Sequence, residues 1–166
     1  MKAISFSELD EMGREQFVAA VGPVFEDSPW VAERAWSGLP VDSFDALCER
    51  MNGVVLGADR EEQLALLRAH PDLGTRARIG ESSTREQAGA GLGRLNREEY
   101  DRLLRLNAEY RARFGFPFLY AVKGSGKAEI LAALEARLQS EPDEEFAEAL
   151  RQVFRIARFR LEEIVR

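Results

Sequence analysis

The chain has 166 residues, 45% of them apolar and 31% charged, with a formal charge of −6 at pH 7. That balance describes a globular protein able to bury about two thirds of its unfolded surface, and its negative charge argues against non-specific nucleic-acid binding. No apolar run nears the roughly 20 residues that cross a bilayer, MKAISFSELDEMG turns acidic too early for a targeting peptide, and EEIVR carries no address signal, so a cytoplasmic setting away from membranes is expected.

In chain order, helix follows helix, with almost no alternating strand pattern. A first helix is expected around residues 8–21. Ser28 offers an N-cap, followed by Pro29 at the first helical position of PWVAERAW. A helix around 43–55 comes next. Asp59 and Glu62 then have capping-box spacing at the start of REEQLALLRAH. Ser83 and Glu86 repeat that spacing ahead of EQAGAGLG, and Asn96 and Glu99 repeat it ahead of REEYDRLLRLNAEYRARF, which stops at Gly115. In FGFPFLYAVKG, residues 114–124, two glycines and a proline among bulky apolar residues oppose a helix and predict a buried extended segment. A helix over 127–139 follows, and Glu141-Pro142 opens the last one. The expectation is one all-α domain over residues 1–166, a bundle of about seven to nine helices with one extended buried segment.

Three constellations stand out as candidate sites. His70, the only histidine, ends a helix just before Pro71 and Asp72. Its unperturbed pKa of about 6.5 suits proton transfer near neutrality, while a surface helix C-terminus, where a charged imidazole favours the dipole, is the plainer reading. Ser83 and Glu86 read most simply as a cap. Yet the helix that they would open holds three glycines, each costing about 1 kcal/mol relative to alanine, and small residues let a ligand come close. On the last helix, Phe146, Leu150, Val153, Ala157 and Ile164 form an apolar stripe with Arg160 in its gap, whereas Arg151, Arg155, Arg158 and Arg166 fall on the other side. An arginine facing the core needs a partner. A structural ion pair, snorkelling at the domain edge and a substrate carboxylate all satisfy that need.

Other chemistry finds little support. One cysteine, Cys48, and one histidine make neither a disulfide nor a tetrahedral zinc site. GSGK at 124–127 lacks the P-loop's first glycine, with Ala121 in that place, and has Ala128 where Ser or Thr should hold magnesium. No elbow motif surrounds Ser82 or Ser83.

FEDSPWVAERAW (25–36), AHPDLG (69–74), STREQAGAGL (83–92), LNAEYRARFGFPF (106–118) and RIARFRL (155–161) together resemble the 2-oxo-4-hydroxy-4-carboxy-5-ureidoimidazoline (OHCU) decarboxylase family, in the family's order and across nearly the whole chain. The resemblance implies an all-α homodimer that decarboxylates this small molecule to (S)-allantoin in uric acid breakdown, without a cofactor or metal. It implies His70, Glu86 and Arg160 as catalytic residues. Substrate contacts would come from Pro71, from Ser83, Thr84, Arg85 and Gln87, and from Leu119, Tyr120, Ala121, Val122 and Lys123. Lys123 departs from the arginine frequent in the family and lacks its bidentate fork. Uricase and hydroxyisourate hydrolase are the implied pathway associates.

The absence of a cofactor motif agrees with this chemistry, because a ring C=N bond beside the carboxylated carbon can take the electron pair that decarboxylation leaves. The alternatives are a decarboxylase or lyase for a related ureido-imidazoline acid, a non-catalytic helical binding protein, and a J-domain-like co-chaperone. His-Pro-Asp suggests the last, but ADREEQLALLRAH lacks the basic helix that it needs.

Overall fold

A computed structural model describes residues 2–37, 39–74 and 81–166 of the chain, the side chains of residues 81–84 excepted. Among these residues are nine α-helices, two 3-10 turns and no strand, the all-α class expected. The helices are α1 (Phe6–Asp10), α2 (Arg14–Val21), α3 (Trp30–Trp36), α4 (Phe44–Leu56), α5 (Arg60–Ala69), α6 (Glu81–Gly89), α7 (Arg97–Phe114), α8 (Lys127–Arg137) and α9 (Pro142–Ile164). They gather into two compact units, Met1–Ala69 with Phe154–Arg166, and His70–Val153. No helix among the described residues is long and apolar enough to cross a membrane.

In the first unit, Leu9, Phe17, Val31, Leu47, Met51, Val55, Leu66 and Leu161 are fully buried. The helix expected over 8–21 is two helices. A capping box of Ser5 and Glu8 starts α1, and Gly13, extended at φ −69° and ψ 168°, precedes α2. Between them the Met12 carbonyl accepts from Trp36 Nε1 at 3.1 Å, a partner distant in sequence. Ser28 is not the N-cap of α3. Pro29 occupies that position, and the Ser28 hydroxyl donates to the Glu26 carbonyl at 2.7 Å. Only half of the expected box at α5 forms: Glu62 N–H donates to Asp59 Oδ1 at 2.8 Å, while the Glu62 carboxylate pairs with Arg34. Burial pushes the Cys48 thiol pKa up, favouring the protonated thiol.

In the second unit, α7 starts on the Asn96–Glu99 box, with both of its bonds made, and stops at Gly115, whose φ of 81° is left-handed backbone that glycine adopts without a Cβ clash. The capping reading of Ser83 and Glu86 is overturned. α6 begins at Glu81, so both residues lie inside the helix. The buried segment starts later than expected, because Phe114 still belongs to α7, and residues 117–122 run without helix or strand. Tyr110 anchors the aromatic core, with ring centroids 5.5 Å from Phe118 and 5.9 Å from Phe116, both edge-on.

Candidate active site

His70 is the first residue past α5, as the sequence implies, but only 6% of it is exposed, which removes the surface-terminus reading. The loop after it, residues 71–74, has no strand partner and is held by side chains of α6 and α7. Gly74 N–H donates to Gln87 Oε1 at 2.8 Å, Asn107 Nδ2 donates to the Leu73 carbonyl at 2.9 Å, and Arg111 Nη2 donates to Asp72 Oδ1 at 3.0 Å. Gly74 closes the loop at φ 74°, and a Cβ there would meet Leu103 Cδ2 at 2.3 Å. Gln87, expected to touch substrate, thus has its oxygen on this loop. Glu86 is half-buried one residue before it, and Arg85 is exposed. The side chains of Ser83 and Thr84 lie outside the described residues.

Leu119, Ala121 and Val122 are buried, Tyr120 is half-buried and Lys123 is exposed. A charged network fixes this segment. Arg137 Nη1 donates to the Leu119 carbonyl at 2.5 Å, its Nε donates to Glu145 Oε1 at 2.7 Å, and its guanidinium lies 4.6 Å from the Phe118 ring centroid. Tyr110 donates its hydroxyl to the same Glu145 oxygen. Burial, followed by that carboxylate, pushes the phenol well above its ordinary pKa, so Tyr110 stays protonated and donating. Ala121 N–H donates to Gln152 Oε1 at 2.9 Å, and Gln152 Nε2 donates to Glu148 at 2.8 Å. The backbone that the resemblance assigns to substrate contact is therefore held by side chains of α8 and α9. The Tyr120 hydroxyl lies 3.0 Å from that of Ser125.

Arg160 belongs to the first unit and is 6% exposed. The apolar stripe of α9 is present, with Leu161 buried where Ile164 was expected and Ile164 only half-buried. Arg151, Arg155, Arg158 and Arg166 are exposed, as their phase predicts. Arg160 Nη1 donates to Glu26 Oε2 at 2.7 Å, so the partner that a buried guanidinium requires is at least in part a protein carboxylate. An ion pair of this kind offsets the cost of burying the guanidinium charge.

Sequence reasoning did not single out Glu26, Asn107, Arg137, Glu145 or Gln152. For Asn107, Arg137, Glu145 and Gln152, polar residues at apolar positions of a helical stripe were the available signal, the same one that marked Arg160; Glu26 lies in a turn, where no such pattern exists. A groove in the first unit, lined by Phe6, Asp10, Pro40, Val41, Glu49 and Arg50, contains none of the expected residues. Among the described residues no cluster of three or more His, Cys, Asp or Glu is placed to hold a metal ion.

A family model described as OHCU decarboxylase matches residues 10–162. The 2-oxo-4-hydroxy-4-carboxy-5-ureidoimidazoline decarboxylase of Halalkalicoccus jeotgali is 45% identical over 99% of this chain and 93% of its own length. The uric acid degradation bifunctional protein PucL of Bacillus subtilis is 46% identical over 97% of this chain, which spans only 33% of PucL. Among solved structures, a crystal structure of (S)-allantoin synthase superposes with a TM-score of 0.80 at 30% identity, over 96% of this chain and 54% of that one. A crystal structure of OHCU decarboxylase in the presence of (S)-allantoin shares the fold, with a TM-score of 0.71 at 21% identity over 91% of this chain and 97% of that one. Matched almost from end to end by the family model and by a relative of nearly its own length, the chain belongs to the OHCU decarboxylase family.

Proposed function

We propose that the chain decarboxylates 2-oxo-4-hydroxy-4-carboxy-5-ureidoimidazoline to (S)-allantoin in uric acid degradation, with His70 as the principal proton-transfer group. The observation that carries this reading is the burial of the only imidazole at the start of a loop pinned by three side chains. A buried, held ring can deliver a proton to one face of a substrate, which a mobile surface histidine cannot do.

The bond between the ring carbon and its carboxylate breaks, its electron pair forms a bond to the adjacent carbon of the C=N group, and the π pair of that group moves onto nitrogen, which takes up one proton from solvent. The 4-hydroxyl then gives up its proton and becomes the ring carbonyl, while the neighbouring carbon takes a proton on one face. Atoms and electrons balance as CO₂ plus allantoin. Arg160, aimed by Glu26, anchors the carboxylate or the ring carbonyl. His70, working with Glu86, moves the protons. Ser83, Gln87 and backbone groups of residues 119–123 hold the ring and the ureido arm, with Pro71, Thr84, Arg85 and Lys123 at the margin of this set.

The reading includes a homodimer in a cytoplasmic setting, acting on what uricase and hydroxyisourate hydrolase produce. The bifunctional uric acid degradation relative is consistent with that pathway. The test supplies freshly formed substrate and follows allantoin chirality. The expected result is (S)-allantoin formed faster than the uncatalysed reaction, with His70→Ala lowering kcat by about 10²-fold or more. Racemic allantoin at the uncatalysed rate would overturn the activity. Near wild-type turnover by His70→Ala would overturn the role of the histidine alone.

A further inference from the structure

Asn107 stands in the apolar stripe of α7, four residues past Leu103 and three before Tyr110, and only 5% of it is exposed. Its amide group makes one hydrogen bond, Nδ2 to the Leu73 carbonyl at 2.9 Å. Its Oδ1 is buried and has no hydrogen-bond partner among the described residues. A buried amide oxygen left unpaired is unfavourable, and the side chain cannot flip without setting oxygen against oxygen at Leu73. A leucine would match the stripe and bury no orphan of its own. Packing alone therefore does not explain asparagine here.

What Asn107 does secure is a single carbonyl, three residues beyond His70. The neighbouring bonds act on either side of it, at Asp72 and Gly74, but differ in kind. The Arg111–Asp72 pair is partly exposed, and Gln87 reaches the loop from α6. Gln87 and Asn107 are both buried, but Asn107 alone of the two leaves its own oxygen unpaired to make its bond.

We infer that Asn107 is a positioning residue for His70, giving up packing in α7 to fix the Leu73 carbonyl and, through the 71–74 loop, the orientation of the imidazole. The inference rests on the reading of His70 as the proton-transfer group. It predicts a variant that folds well and works badly.

Asn107→Leu is the test, with Asn107→Ala as the second variant. His70 is the only histidine in the chain, so its ring protons can be followed by NMR in the whole protein without ambiguity. For Asn107→Leu the expected result is a melting temperature close to wild type and a kcat at least tenfold lower, with KM within about threefold. The ring resonance should broaden or its titration midpoint should move, and the acid limb of the kcat profile should move with it. Asn107→Ala should show the same change in ring and kcat, with a lower melting temperature.

Unchanged His70 titration together with unchanged kcat in the folded variants would overturn the inference. Failure of both variants to fold would also overturn it, making Asn107 a folding residue. His70→Ala run alongside keeps the two claims apart. If His70→Ala is inactive and Asn107→Leu resembles wild type, the positioning role fails and the reading of His70 stands. If His70→Ala stays active, that reading fails and takes the catalytic meaning of the loop contact with it.

Discussion

The stretch 116–122 and the loop 71–74 both leave helical geometry, and both take from side chains the hydrogen bonds that a strand would take from a neighbour. The longer stretch is gripped by charge inside an apolar shell. Arg137 and Gln152 hold its backbone, Glu145 and Tyr110 complete the network, and Phe116 and Phe118 pack around it. The shorter loop is gripped by one partly exposed ion pair and two amides, one of which leaves its own oxygen unpaired. The first arrangement is built for stability. The second leaves a buried polar atom unpaired, and it directly follows His70, so on the proposed reading of His70 it serves placement.

The largest effect separating them should come from Glu145→Gln. It removes the carboxylate shared by Arg137 and Tyr110 and leaves a buried guanidinium without its counter-charge, a loss of about 3–5 kcal/mol by chemical denaturation. A loss below about 1 kcal/mol would shift the support of the segment onto aromatic packing, which contributes that much per pair.

Tyr110→Phe should come next, at about 1.5–3 kcal/mol near neutral pH for a lost hydrogen bond to a charged group. It also has a signature in alkali. The unfolded phenol ionises near 10, whereas burial and Glu145 hold the folded one above that. The contribution is therefore complete below about pH 10 and is lost as pH rises further. Denaturation midpoints followed from pH 8 to 11 should fall less steeply in the phenylalanine variant than in wild type. Parallel curves would place the alkaline sensitivity elsewhere.

Gln152→Leu leaves the buried Ala121 N–H without its acceptor and should destabilise by about 1–3 kcal/mol. Because the segment stays walled by aromatic rings, the loss should be local. Hydrogen exchange at Ala121 should speed up while amides in the middle of α7 keep their protection. Uniform loss of protection would make the segment part of the global unfolding unit.

Much of this was legible in the sequence, and the rest failed for one physical reason. The Asn96–Glu99 box, the stop at Gly115 and the stripe around Arg160 depend on neighbours within a few residues, and all are as expected except that Leu161 takes the buried place given to Ile164. Ser83 and Glu86 have the right spacing but the wrong context, since α6 begins two residues before Ser83. The split at Met12–Gly13 involves Trp36, and the partner of Arg160 lies 134 residues away at Glu26. Asn107, Glu145 and Gln152 acquire meaning only when α7, α8 and α9 are folded against their loops. His70 was visible as a unique imidazole at a helix end, but its burial was not, because only tertiary structure covers it. The assignment of Glu86 to catalysis and of Gln87 and residues 119–123 to substrate contact came from resemblance, the local pattern offering only a glycine-rich segment that a ligand could approach.

The smallest effect should be that of Arg111→Ala, which breaks the ion pair to Asp72. The two side chains are 47% and 36% exposed, so water and salt already screen the pair and its removal should cost about 0–1 kcal/mol. If amides rather than charge set the loop, kcat should fall less than twofold, and adding salt to wild type should change activity little. Asn107→Leu should then stand well apart from Arg111→Ala in activity while matching it in melting temperature. Should Arg111→Ala instead lower kcat as much as Asn107→Leu, with wild type losing activity steeply in salt, the loop would be steered by charge from outside, and the contrast with the buried grip on residues 116–122 would dissolve.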